Sequence, residues 1–204
     1  MAVTRGSIHE VAEAVLGCVC AALTDAAGAD PDQPGCPCRS CVVPGMPAWD
    51  SCDDPCGQNS AGGAGGQLTV NVLRVFQSTD FPSADRGLPP AAARGTRMHC
   101  APPANLAVEL AVTLLRCAPV PDEDGCPPSC EDLEATARIL HTDMATVYNA
   151  LLCCLPGSTE RRRGRAVFVG DSRTIGPQGG CVGLEQRVTV GIPGCLCPSE
   201  EGTP

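Results

Sequence analysis

The chain has 204 residues, 43% hydrophobic and 18% charged, with a formal net charge of −9. That is enough apolar material for one core, and the acidic balance excludes a general nucleic-acid binder, which needs clustered cations to neutralise phosphate. Aromatic residues are only 2% of the chain, which excludes a stacking platform for single strands and leaves the core to Val, Leu, Ile and Ala.

Sixteen cysteines stand against this plain background. Arg5, His9, Glu10 and Glu13 interrupt what would be the apolar part of a secretion signal. No run approaches the ~18 apolar residues of a membrane span. The expectation is a protein folded in a cytoplasm, where structural disulfides are rare. The cysteines are then metal ligands, reduced core residues, or thiols that oxidise after release from the cell.

Residues 7–23 predict a helix. Ser7 and Glu10 have capping-box spacing, and Ile8, Val11, Val15 and Val19 recur at helical intervals. Residues 24–66, rich in Cys, Gly and Pro and without a period, read as a long loop or insertion. Residues 67–77 predict a strand with Leu68, Val70, Val72 and Phe76 on one face, interrupted by Arg74. Residues 78–104 return to turn chemistry. Residues 105–118 fit both strand alternation and helical spacing; strand is preferred, because Val112 to Arg116 echoes Val70 to Arg74 and the two segments look paired.

Residues 130–155 predict the clearest helix. Ser129 is the N-cap, acidic residues fill the first turn, and Leu133, Ala137, Leu140, Met144, Val147, Leu151 and Leu155 line one face. Residues 166–169 and 185–192 predict two strands joined by a Gly-rich connection, in which Gly176 to Gly180 holds too many breakers for regular structure. The order predicts an α+β domain: a small antiparallel or mixed sheet of about four strands, packed against an N-terminal helix and one long helix. The expected organisation is a single domain over 1–204, with 24–66 as an insertion and 194–204 as a tail.

Cys38, Cys41, Cys52 and Cys56 form the candidate zinc set, since two short pairs of thiolates are what a structural zinc site needs. Cys36 adds a fifth thiol there, and no other cofactor is expected. Adjacent Cys153 and Cys154 should point in different directions on a helix. Gly170-Asp171-Ser172 looks like the opening block of GDSL-type serine hydrolases, but His9, His99 and His141 all precede Ser172, where that family places its histidine later. A strand-to-turn junction accounts for the same residues. His99-Cys100 lacks an orienting partner in the sequence, and His141 with Asp143 reads as the solvated face of the long helix. Residues 160–165 form the basic cluster, most simply a solvated loop. No catalytic residue is assigned.

Four blocks carry a resemblance: GGQLTVNVLRVFQSTDFP (65–82), NLAVELAVTLLRCAP (105–119), DLEATARILHTDMATVYNALLCCL (132–155) and GPQGGCVGLEQRVTVGI (176–192). In pattern and order they resemble head-to-tail connection proteins from long-tailed phages of GC-rich, actinobacterial-type hosts, most of all the tail terminators. The resemblance implies a small α+β, non-enzymatic virion protein at the head–tail junction, assembled in the host cytoplasm. It implies a homo-oligomeric, six-subunit ring that caps the tail tube, ends its polymerisation and docks the tail to the capsid connector. Its implied partners are further copies of itself, the major tail tube protein, a head-completion or stopper protein, and duplex DNA sliding through the lumen, with no membrane. The alternatives are another neck protein, or a zinc-stabilised interaction module. Loops 78–104, 157–165 and 170–184 are the expected carriers of partner contacts.

Overall fold

The structure is a computed structural model that describes residues 8–48, 64–85, 106–121, 123–155 and 166–192. Helices α1 (Ile8–Ala29) and α2 (Cys130–Cys154) pack on strands β1 (Pro37–Val43), β2 (Ala64–Gln77), β3 (Leu106–Cys117), β4 (Val167–Gln178) and β5 (Cys181–Ile192). The sheet order is β1-β2-β3-β5-β4. β1 runs parallel to β2 and every other neighbour is antiparallel. The fold is therefore α+β, with five strands where four were expected.

The fifth strand is β1, inside the segment read as a loop. It is an edge strand whose only clear contribution to the core is Val42, so its sequence never needed an apolar alternation. Helix α1 also runs on to Ala29, through a stretch of Ala and Gly that carries no stripe.

Both helices lie on one face of the sheet. Val11, Val15, Val19 and Leu23 of α1 and Leu140, Val147 and Leu151 of α2 meet Leu68 and Val70 of β2, Val108 to Leu114 at alternate positions of β3, and Leu184 and Val188 of β5. α1 covers the β1–β2 side and α2 the β5–β4 side. At 22 residues and a mean hydropathy of 1.5, α1 is long and apolar enough to cross a membrane, which corrects the expectation that no run comes near this. Its valine stripe is used in the core of this fold.

The N-cap of α2 is as expected: Ser129 has extended backbone, and its hydroxyl accepts from the Asp132 amide at 3.1 Å. Leu140, Val147 and Leu151 are buried, whereas Leu133 in the first turn is 48% exposed. The capping position Ser7 and the tail 194–204 lie outside the described residues.

β3 is the central strand and is buried along nearly all its length, on both faces. That explains its double periodicity in sequence: a strand covered on two sides has no polar alternation to display. It pairs with β2 as the echo between them suggested, in an antiparallel register that sets Val70 against Val112.

Two bulges re-aim side chains. Between Val72 and Arg74 the β2 register shifts, so Arg74 sits opposite Glu109 and Phe76 opposite Ala107. Leu68, Val70 and Val72 face the helices, but Phe76 does not share their face; the extra residue has moved it across the sheet. In β4 the register shifts between Val169 and Ser172, leaving Gly170 and Asp171 together opposite Arg187.

The Gly-rich connection is mostly strand. β4 continues to Gln178, and Gln178 pairs with Cys181 across a two-residue turn of Gly179 (φ 55°) and Gly180 (φ 73°). Two consecutive positive φ values make this the tight hairpin turn that matches strand twist, which only glycine-like residues enter readily. The breakers of 176–180 thus close a hairpin instead of opening a loop.

Candidate functional site

The sheet face opposite the helices carries the most organised set of polar groups. Alternate residues of β3 place Glu109 there, with its flanks set by pairing: Arg74 opposite it on β2, Arg187 one step along on β5, and Glu185 and Arg173 facing each other across β5 and β4. The result is a ladder over four strands. Arg74 Nε donates to Glu109 Oε2, Arg187 lies 3.5 Å from Glu109 and 3.5 Å from Glu185, and Arg173 Nη2 reaches Glu185 at 2.9 Å. Arg74 also lies over the Phe76 ring, 4.6 Å from its centroid.

The ladder is layered by exposure. The carboxylates sit deep, with side chains 11% (Glu109) and 17% (Glu185) exposed, while the side chains of Arg74 and Arg173 are 60% and that of Arg187 47% exposed. The surface offered to solvent is therefore arginine, although the set is nearly neutral. Charge alternation on a sheet face was not anticipated from sequence. Its signal was present as Arg74, Glu109, Glu185 and Arg187 inside otherwise apolar strands, but two bulges had to be known to bring them together.

On the helix side, Asp143 is buried and not part of a solvated helix face. Its side chain is 2% exposed and takes both prongs of Arg116, which is 6% exposed. His141 does lie at the exposed surface of α2, as expected. His9 is exposed and pairs with Glu13 at 3.2 Å.

Ser172 lies within β4, not at a strand end, and its Oγ is buried. The adjoining bulge is held by Gln186, whose Nε2 donates to the carbonyls of Gly170 and Arg187, each at 2.8 Å. Gly170-Asp171-Ser172 is thus a buttressed bulge, where sequence pointed to a strand-to-turn junction or a nucleophile block. His99, Cys100 and the cluster 160–165 lie outside the described residues.

Of the candidate zinc set, Cys52 and Cys56 are outside the described residues. Cys38 is disulfide-bonded and Cys41 is a thiol on the same strand. The chain between them is extended β1 and not the tight knuckle a C-x2-C pair needs to aim both sulfurs at one ion. Among the described residues no group of three or more His, Cys, Asp or Glu side chains could hold a metal ion.

Among the described residues, two disulfides tie the helix layer. Cys18 bonds Cys154, joining α1 to the end of α2, and Cys20 bonds Cys36, joining α1 to the segment entering β1. Cys153 is an exposed thiol beside bonded Cys154, so the adjacent pair does diverge.

Of the loops expected to carry contacts, 170–184 is the β4–β5 hairpin and so is corrected. Residues 78–85 form a closed turn in which the Asp85 carboxylate accepts from the Thr79 amide (2.8 Å) and hydroxyl (2.9 Å). Residues 86–104 and 157–165 are outside the described residues. An open cleft of about 650 Å³ is lined by Pro119, Val120, Cys126, Pro127, Pro128 and the first turns of α2, with Asp132 as its charged group. Within it the Ser129 hydroxyl donates to the Asp132 carboxylate at 2.7 Å, a contact that belongs to the cap of α2.

Scanning protein-family models finds no match to the chain, and a search of curated proteins finds none either.

Proposed function

We propose that this chain is a structural virion protein of the head–tail junction, acting as a tail terminator: a homo-oligomeric ring, hexameric by resemblance, that caps the tail tube and docks the tail to the capsid connector. It works by shape and contact and not by catalysis. The observation that carries the reading is that the four resembling blocks form one structural unit. Residues 65–82 supply β2, 105–119 supply β3 and 176–192 supply the end of β4 with β5, so three of the blocks are neighbours in the sheet. The fourth, 132–155, is α2, which lies over β5 and β4.

In this role the partners are further copies of the chain, the tail tube protein and a stopper or head-completion protein, with duplex DNA passing through the lumen unbound. The acidic net charge of −9 suits a channel that must not retain DNA. The disulfides fit a protein assembled in a host cytoplasm and exposed to oxidising conditions after lysis.

Electron microscopy of particles assembled without the protein tests the reading. A terminator's absence gives overlong or variable tails beside unjoined filled heads. Tails of normal length that fail to attach would assign the chain to the head side of the joint as a stopper or completion protein. Normal joined particles would remove it from the junction altogether.

A further inference from the structure

We infer that copies of this chain associate head to tail, with the acidic helix layer of one copy set against the arginine ladder on the sheet face of the next. The inference rests on the proposal that the chain self-assembles, and it specifies which surfaces meet. The charge of the described residues is divided by layer. Glu10, Glu13 and Asp25 of α1 and Glu131, Asp132 and Glu134 of α2 are exposed, against one exposed arginine, Arg138, on the same layer. Asp143 adds nothing there because it is buried against Arg116.

The opposite face presents the reverse sign. Arg74, Arg173 and Arg187 lie outermost, above carboxylates that are largely withdrawn from water, and Asp171 at the bulge is the exposed carboxylate beside them. A guanidinium has five donors in a planar fork. An arginine that already holds one carboxylate on its inner side can take a second from outside. Withdrawal of Glu109 and Glu185 beneath the arginines fixes those forks in place, so a partner carboxylate meets donors already oriented.

A second copy fits better than nucleic acid, because the matching carboxylates belong to the chain itself and its acidic net charge repels a phosphate backbone. The two surfaces are unlike and lie on opposite layers. The contact is therefore heterologous: each copy that joins leaves one surface of each kind open, and growth stops only when a ring closes.

The test is light scattering on the full-length chain and two double variants. Glu131→Lys with Glu134→Lys reverses the helix side at exposed positions. Arg74→Gln with Arg173→Gln neutralises the sheet side while leaving Arg187 to pair both buried carboxylates. Circular dichroism checks that both fold. The expected result is a wild-type oligomer at low salt that weakens as salt rises, monomers for each double variant, and dimers but nothing larger in their equimolar mixture, since each retains one intact surface. Variants that assemble like wild type would overturn this contact and leave self-assembly standing. A wild-type chain that stays monomeric at every concentration would overturn both. Duplex DNA retained by wild type and released by the sheet-side variant would show that this face meets phosphate instead.

Discussion

Arg116 of β3 and Asp143 of α2 are joined by two parallel hydrogen bonds, Nε to Oδ2 at 2.8 Å and Nη2 to Oδ1 at 3.0 Å, with both side chains almost fully buried. The pair pins the long helix to the end of the central strand. Breaking a buried pair from one side strands the other charge, at a cost of ~3–5 kcal/mol. Asp143→Ala and Arg116→Ala are each expected to lower unfolding free energy by about that much. Replacing both together by Leu and Met should cost far less or stabilise, because desolvation of two charges is avoided. Urea melts of the three variants decide it; a double variant as unstable as the singles would show that the pair itself supplies net stability.

How far the fold could be read in advance follows from what each segment faces. α2 was legible because one side meets water and the other a core, and its cap is local: Ser129 and Asp132 are three residues apart. β3 was ambiguous because both its faces are covered. β1 was invisible because an edge strand with one core residue has almost no pattern. The Arg116–Asp143 pair and the arginine ladder were not legible, since each unites residues distant in sequence, the pair by packing a helix on a strand and the ladder through a register that bulges alter. Asp143 in particular sits on a helix with exposed charged neighbours, and only the position of β3 tells it from them.

Gln186 is fully buried, and its amide satisfies the bulge carbonyls of Gly170 and Asp171 and that of Arg187. Gln186→Leu keeps the volume but removes the donor, leaving part-buried carbonyls without this partner at up to ~1 kcal/mol. The loss should be local to the β4–β5 hairpin, so hydrogen exchange at Ser172 and Arg173 should quicken more than at β2. Uniform acceleration would instead mean that the bulge is coupled to global unfolding.

The Cys18–Cys154 bond closes a sequence separation of 136 residues, and Cys20–Cys36 closes 16. In the chain-entropy account, cross-links of these lengths stabilise by roughly 5 and 3 kcal/mol, the longer loop by more. Cys18→Ser should therefore lower the denaturation midpoint more than Cys36→Ser does. Adding reductant to wild type should lower it at least as far as either substitution. A midpoint insensitive to reductant would mean that the folded helix layer does not depend on these bonds.

Gly183 has no room for a side chain: a Cβ there would stand 2.0 Å from the Leu114 carbonyl oxygen and 2.9 Å from Leu115 Cδ2. The first contact is with backbone, which cannot rotate away as a side chain can. It lies in the β3–β5 pairing at the middle of the sheet, where Gly183 sits opposite Leu115. Gly183→Ala therefore has to shift one strand against the other, and its cost should exceed the ~1–3 kcal/mol usual for an overpacked core. Gly17→Ala is the control, because nothing lies within 4 Å of a Cβ at that helical position, and it should be stabilising by up to ~1 kcal/mol through helix propensity. Thermal melts of the two variants should move in opposite directions. If Gly183→Ala melts with wild type, the close approach of β5 to β3 is not a constraint that the fold must keep.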